Sequence, residues 1–251
     1  STTSATLTVE DNTNPTIDIQ ASDQTVECDG AGNIAQLNAW ISDQGGASAS
    51  DACSSVTWTN DFTALSDECG ATGDATITFT ATDDCGNTTE LSQIITVEDT
   101  EEPVLAGIPA DTDASCDAIP DPPLAGEVTA SDNCDIDVDI SFEEEIEDLL
   151  CGQTITRTWT ATDDCGNVAS ASQVINVIDT ELPELLNIPA DISAECSDIP
   201  TASTAVTTTD KCDSDVDLVV EDELLDGDCT GNYTLVRTWT ATDNCGNVNT
   251  A

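Results

Sequence analysis

Apolar and polar positions alternate along much of the chain with the period of two that marks a strand with one face buried. In "DIDVDISF" (135–142), Ile136, Val138, Ile140 and Phe142 fall on one face and the aspartates on the other, which predicts a half-buried strand. In "QTITRTWTATD" (153–163), Ile155, Arg157, Trp159 and Ala161 alternate with a row of threonines. "DDCGN" then turns the chain, and "VASASQVINVID" (168–179) returns antiparallel to it. One stretch breaks the period. In "NIAQLNAWISDQGG" (33–46), Ile34, Leu37 and Ile41 recur at helical spacing before a Gly-Gly stop, predicting one short helix.

The hairpin motif occurs three times. "FTATDDCGN" begins at Phe79, "WTATDDCGN" at Trp159 and "WTATDNCGN" at Trp239, a step of 80 residues each time. A linker recurs with it: "VEDNTNP" from Val9, "VEDTEEP" from Val97 and "VIDTELP" from Val177. That period is too long for a solenoid turn and suits a small self-contained domain. The chain therefore divides into 1–14, read as the last strand of a preceding repeat, then repeat 1 (15–102), repeat 2 (103–182) and repeat 3 (183–251, without its own last strand). About seven short strands per repeat predict an all-β chain of tandem immunoglobulin-like β-sandwiches, with the helix inserted in repeat 1.

Twelve cysteines fall four to a repeat: 28, 53, 69, 85; 116, 134, 151, 165; and 196, 212, 229, 245. Zinc sites favour close Cys-x-x-Cys pairs or cysteine with histidine. Here neighbouring cysteines within a repeat are 14 to 25 residues apart and histidine is absent, so the set reads as a disulfide framework made in an oxidising, exported setting. In an immunoglobulin-like topology the first and third cysteines of a repeat lie at one end and the second and fourth at the other. That predicts Cys28–Cys69 and Cys53–Cys85, Cys116–Cys151 and Cys134–Cys165, Cys196–Cys229 and Cys212–Cys245.

"TATDxCGN", the linker "V-x-D-T-x-x-P" and "ASDxC" ahead of a strand resemble the hyalin-repeat-like (HYR-like) domains. The specific likeness is to the four-cysteine version in long surface proteins of Bacteroidota, including gliding-motility adhesins exported by type 9 secretion. The resemblance implies an extracellular, cell-surface filament whose partners are its own neighbouring repeats, surface polysaccharide, and the secretion and gliding machinery. Repeat 1 departs from the pattern in its helix and in Ile77, which stands where the others have Arg157 and Arg237.

Charge narrows the function classes. Three basic residues (Arg157, Lys211, Arg237) face 51 acidic ones, a formal net charge of −48. Such a chain does not bind nucleic acid, which needs Lys and Arg to neutralise phosphate, nor dock directly on an anionic membrane. Every cysteine has a structural role and no serine has a recognisable base, so no enzyme activity is expected. In a chain so acidic, any two carboxylates could be fitted to a glycosidase scheme.

Calcium is the cofactor the acidic residues point to. In a sandwich, the loop after the second strand, the loop of the final hairpin and the preceding linker meet at one end. Oxygen ligands then converge at each junction: Asp11 with Asp51, Asp83 and Asn87; Asp99 with Asp132, Asp163 and Asn167; Asp179 with Asp210, Asp243 and Asn247. The bland reading is that these residues only shape turns. Arg157 and Arg237 share an inward strand face with Trp159 and Trp239 and need carboxylate partners, which "EEEIED" (143–148) and "EDELLD" (221–226) can supply as structural ion pairs. The function expected is a structural stalk of a long repetitive adhesin, stiffened by disulfides and calcium and used in attachment or gliding. The alternatives are a glycan- or protein-binding module, or accessory repeats of a secreted polysaccharide-degrading enzyme.

Overall fold

The computed structural model describes residues 3–195, 197–227 and 231–251. The chain is built of β-strands, with one α-helix among these residues. In repeat 1, β1 (Thr16–Ile19) pairs antiparallel with β3 (Ser48–Ser50). A second sheet has the order β2-β6-β5-β4, from β2 (Gln24–Glu27), β4 (Val56–Asn60), β5 (Gly73–Asp83) and β6 (Thr88–Glu98). β5 and β6 form the hairpin expected from "FTATDDCGN", while β2 joins β6 in parallel.

The alternation along β5 does what its period requires. Ile77, Phe79 and Ala81 are fully buried, and the first two pack in one cluster with Ile95 and Val97 of β6. Helix α1 (Ile34–Ser42) closes this core from the other side with Leu37 and Trp40. The Trp40 ring meets Phe79 edge-on at 5.5 Å, and its indole N–H donates to the Ser22 carbonyl. Ile77 can therefore occupy the arginine position of the other repeats because α1 covers that face with apolar side chains. The helix ends at a short 3-10 turn, Gln44–Gly46, at the Gly-Gly stop.

Repeat 2 pairs β7 (Val104–Ala106) with β9 (Thr129–Ser131) and forms a four-stranded sheet of order β10-β11-β12-β8. Its strands are β8 (Thr112–Ser115), β10 (Asp139–Asp148), β11 (Gln153–Thr162) and β12 (Val168–Ile178). Again the joint between β12 and β8 is parallel. Repeat 3 follows the same plan with β13 (Glu184–Leu186), β14 (Thr207–Thr209), β15 (Asp217–Asp226), β16 (Tyr233–Thr242) and β17 (Val248–Thr250).

One expectation from the hydrophobic pattern is corrected. Residues 135–138 are not strand: β10 begins at Asp139, and Ile136 is fully exposed. The aspartates there accept hydrogen bonds from nearby backbone N–H groups, Asp132 from Cys134 and Asp135, and Asp135 from Asp137. These local bonds take the place of a ladder, as Asx residues often do. Residues 3–14 lie ahead of β1 outside any sheet, with Leu7 and Val9 exposed. A strand needs a partner edge, and no described residue offers one to this segment.

The inward arginines find partners in the acidic runs. Arg157 is buried; its Nε donates to Glu144 at 2.7 Å and its guanidinium also donates to the Pro120 carbonyl at 2.9 Å. Arg237 is more open and grips Asp222 with two bonds, at 2.6 and 2.8 Å. The Arg157 pair is asymmetric, since the Glu144 side chain is 33% exposed and that of Arg157 only 4%. Removing the glutamate leaves a buried cation with one carbonyl, whereas removing the arginine leaves a carboxylate that water can reach. Glu144→Ala should therefore cost about 3 kcal/mol and Arg157→Met much less, as read from denaturant midpoints. Equal losses for the two variants would refute the asymmetry.

By contacts the chain divides into two compact units, and these cut across the sequence repeats. Unit 1 comprises Ser1–Ala106, Thr129–Ser141 and Thr160–Ser170; unit 2 comprises Gly107–Val128, Phe142–Trp159 and Ala171–Ala251. Each unit thus gathers one repeat together with the cysteine-bearing loops of its sequence neighbour. No helix among the described residues is long and apolar enough to cross a membrane.

Candidate functional site

The disulfides explain this grouping, and they correct the expected pairing. Cys28 bonds Cys134, Cys69 bonds Cys165, Cys116 bonds Cys212 and Cys151 bonds Cys245. Every one joins two successive sequence repeats. The first cysteine of a repeat bonds the second of the next, and the third bonds the fourth of the next. Cys53 and Cys85 are free thiols. Within-repeat bonds Cys28–Cys69, Cys53–Cys85, Cys116–Cys151, Cys134–Cys165 and Cys212–Cys245 are thus not formed. Cys196 and Cys229, expected to pair with each other, lie outside the described residues.

Placement at the ends of a repeat accounts for the pattern. The Cys28 N–H donates to the Glu98 carbonyl, and Gly73, four residues after Cys69, pairs with Val97. Both cysteines therefore sit where repeat 1 hands over to its linker. Cys53 follows β3, and Cys85 occupies the β5–β6 hairpin, whose Asn87 donates to the Asp11 carbonyl of the incoming linker. First and third cysteines thus lie at the C-terminal end of a repeat, second and fourth at its N-terminal end. Across a junction the Cα atoms come to 5.6 and 5.0 Å in unit 1, and to 5.7 and 4.8 Å in unit 2, distances a disulfide spans. Gly30 is needed at this joint. It has φ +67°, and a Cβ there would lie 2.4 Å from the Asn133 carbonyl oxygen.

Beside the first pair of bridges lies a knot of carboxylates. In unit 1, oxygens of Asp99, Asp132 and Asp163 all lie within 4.8 Å of one another. Each comes from a different element: Asp99 from the linker after β6, Asp132 from the turn after β9, and Asp163 from the β11–β12 hairpin. Neither carboxylate oxygen of Asp99 has a hydrogen-bond partner, although both are buried. Burial pushes this carboxyl up to about 6, with Asp132 and Asp163 adding their repulsion. Glu27 fixes the linker by accepting from the N–H and hydroxyl of Thr100.

The knot recurs with variations. At the first linker Asp11, Asp51 and the Cys53 sulfur form a similar group, and one Asp11 oxygen is buried without a partner. In unit 2, Asp179 lies with the bridged Cys116 and Cys212. Its carboxyl is raised by burial, and Asp210 and Asp243 contribute to the rise. One Asp210 oxygen is orphaned there. Asp83 and Asp243 fall outside the tight groups, each receiving both the N–H and the amide of the asparagine four residues on.

Those asparagines are braces, which sequence reasoning missed. The side-chain amide of Asn167 donates to the Asp163 carboxylate at 2.9 Å and to the Asp99 carbonyl at 3.2 Å. Asn87 and Asn247 make the same two contacts, to Asp83 and the Asp11 carbonyl and to Asp243 and the Asp179 carbonyl. With nitrogen turned to the acids, Asn87, Asn167 and Asn247 hold the linker in place.

Comparison with known proteins bears on the cysteine pattern. Residues 107–177 match the HYR-like domain with 4 cysteines. The HYR-like stretch contains Cys116, Cys134, Cys151 and Cys165, the four cysteines of repeat 2. No curated protein matches the chain. Solved structures similar to it include the protocadherin GammaB4 extracellular domain, at 15% identity and a TM-score of 0.32, covering 96% of this chain and 48% of that one. Drosophila N-cadherin EC1-4 matches at 14% identity and a TM-score of 0.30, covering 82% of this chain and 66% of that one. Human CDH23 EC21-23 matches at 17% identity and a TM-score of 0.28, covering 70% and 72%. The chain thus spans less than half of the protocadherin GammaB4 structure, and scores this low do not define a common fold.

Proposed function

We propose that this chain is a load-bearing segment of an extracellular adhesion-type repeat protein, in which successive HYR-like repeats are tied by two covalent bridges and a calcium ion. The observation that carries the reading is the double bridge: two disulfides span each junction, Cys28–Cys134 with Cys69–Cys165 and Cys116–Cys212 with Cys151–Cys245. Four disulfides in one chain also support an oxidising, extracellular setting. A surface-attached stalk, whether for adhesion or gliding, needs to pass tension without unravelling, and bridges between neighbours give tension a covalent path outside the fold.

Calcium suits the carboxylate knots. It binds carboxylate oxygens at about 2.3–2.6 Å in tolerant geometry, so ligand atoms within 4.8 Å of each other fit around one ion. The unpartnered oxygens of Asp99, Asp11 and Asp210 are the ones such an ion would satisfy. Buried carboxylate oxygens without partners are costly, and a divalent cation removes that cost together with the mutual repulsion.

Single-molecule pulling tests the load-bearing reading. With all four bridges intact, the shortest covalent path runs from residue 1 to 28, across to 134, on to 151, across to 245 and on to 251. That is roughly 53 residues of backbone, about 190 Å at full extension, against about 880 Å for the whole chain. The oxidised chain should stop near the shorter length and the reduced chain reach the longer. Full-length extension before reduction would overturn the reading.

A further inference from the structure

Cys53 and Cys85 are the two exposed free thiols of the described chain, and their surroundings repeat those of cysteines that are bridged. The Cys53 N–H donates to Asp51 at 2.8 Å with Ser54 beside it, as Cys134 and Asp135 donate to Asp132 and Cys212 and Asp213 to Asp210. Cys85 sits in a hairpin closed by Asp83 and Asn87, as Cys165 is held by Asp163 and Asn167 and Cys245 by Asp243 and Asn247. The glycine after each has nearly the same backbone, with φ of 90°, 91° and 83° at Gly86, Gly166 and Gly246. One arrangement thus occurs three times. In two copies it receives a pair of disulfides, and in the third it presents two thiols.

We propose that Cys53 and Cys85 form a covalent docking face for a further four-cysteine repeat seated on the N-terminal end of repeat 1. Its first cysteine bonds Cys53 and its third bonds Cys85, following Cys28 to Cys134 and Cys69 to Cys165. The inference stands on the disulfide register alone, so it survives or fails independently of calcium and of load-bearing. Each new bond joins two thiols and releases two protons and two electrons. A disulfide oxidant such as oxidised glutathione accepts them, and its own S–S bond breaks to give two thiols.

The test extends the chain by placing a copy of residues 15–88 ahead of Ser1, with that copy's own Cys53 and Cys85 replaced by serine. Both chains are oxidised with oxidised glutathione, alkylated with iodoacetamide without reduction, and mapped by mass spectrometry. In the 251-residue chain, Cys53 and Cys85 should be alkylated freely. In the extended chain both should be protected at least tenfold, with bonds from the added Cys28 to Cys53 and from the added Cys69 to Cys85. Serine at the added Cys28 and Cys69 should restore alkylation. Finding the native Cys28–Cys134 bond in the same digest shows that the rest of the chain has folded. The proposal is overturned if, in such a sample, Cys53 and Cys85 bond each other, carry only glutathione, or are alkylated equally in both chains.

Discussion

Replacing Cys28 and Cys134 together by serine will lower the stability of unit 1 by roughly 4 kcal/mol. The Cys28–Cys134 bond closes a sequence separation of 106 residues and Cys69–Cys165 one of 96. With the second bond intact, the first still closes a loop of roughly 70 residues, and the chain-entropy model puts such a closure near 4 kcal/mol. The alternative pairing makes a different forecast. If Cys28 bonded Cys69 and Cys134 bonded Cys165 within their repeats, each serine would break a different bond. The double variant would then lose about twice what a single one loses. Across repeats, both singles and the double break the same bond and lose alike. Denaturant unfolding of the single and double variants, with peptide maps of the parent, decides between them. Losses below about 1 kcal/mol, or a Cys28–Cys69 peptide, would sink the cross-repeat scheme. The effect is large because the bond closes a long loop. In repeat 2, whose core cluster is Ile155, Ile175 and Val177 with a few partly buried neighbours, covalent ties also supply what packing does not.

Calcium and pH will act on Asp99 in opposite senses. Its carboxyl titrates in the fold at about 6 instead of the ordinary 3.8, so without metal it stabilises the fold while protonated. That contribution is whole below about pH 4 and is lost as pH rises through about 6. In chelator, the melting temperature should therefore fall between pH 4 and 6, and Asp99→Asn should flatten the fall. Roughly millimolar calcium should raise the melting temperature at pH 7, where the carboxylate is free to bind. The gain should fade as pH drops below 6, because a proton competes with the ion. Identical melting curves with calcium and with chelator at pH 7, in parent and Asp99→Asn alike, would show that the knot holds no ion and that the aspartates only shape turns.

Much of the architecture was written in local pattern. A two-residue period placed Ile155, Arg157, Trp159 and Ala161 on one face, and all four are buried. Helical spacing found α1, and the need of a buried guanidinium for a carboxylate pointed to the runs that hold Glu144 and Asp222. Those inferences hold because strand and helix periods, and the cost of an unpaired charge, are set by a few neighbouring residues. The same logic failed at 135–138, where alternation mimicked a strand but each aspartate bound its own backbone.

Local sequence settles the repeat, the hairpins and the end of a repeat at which each described cysteine lies. Tertiary structure alone decided the partners. Cys28 and Cys69 share an end, as the topology implied, yet each lies within bonding distance of a cysteine in the next repeat. A disulfide forms only where two Cα atoms approach within about 7 Å, and spacing along the chain does not carry that distance. The carboxylate knots are alike in this respect. Any of 51 acidic residues could have been a ligand, and only the fold brings oxygens of Asp99, Asp132 and Asp163 within 4.8 Å and leaves those of Asp99 without a partner.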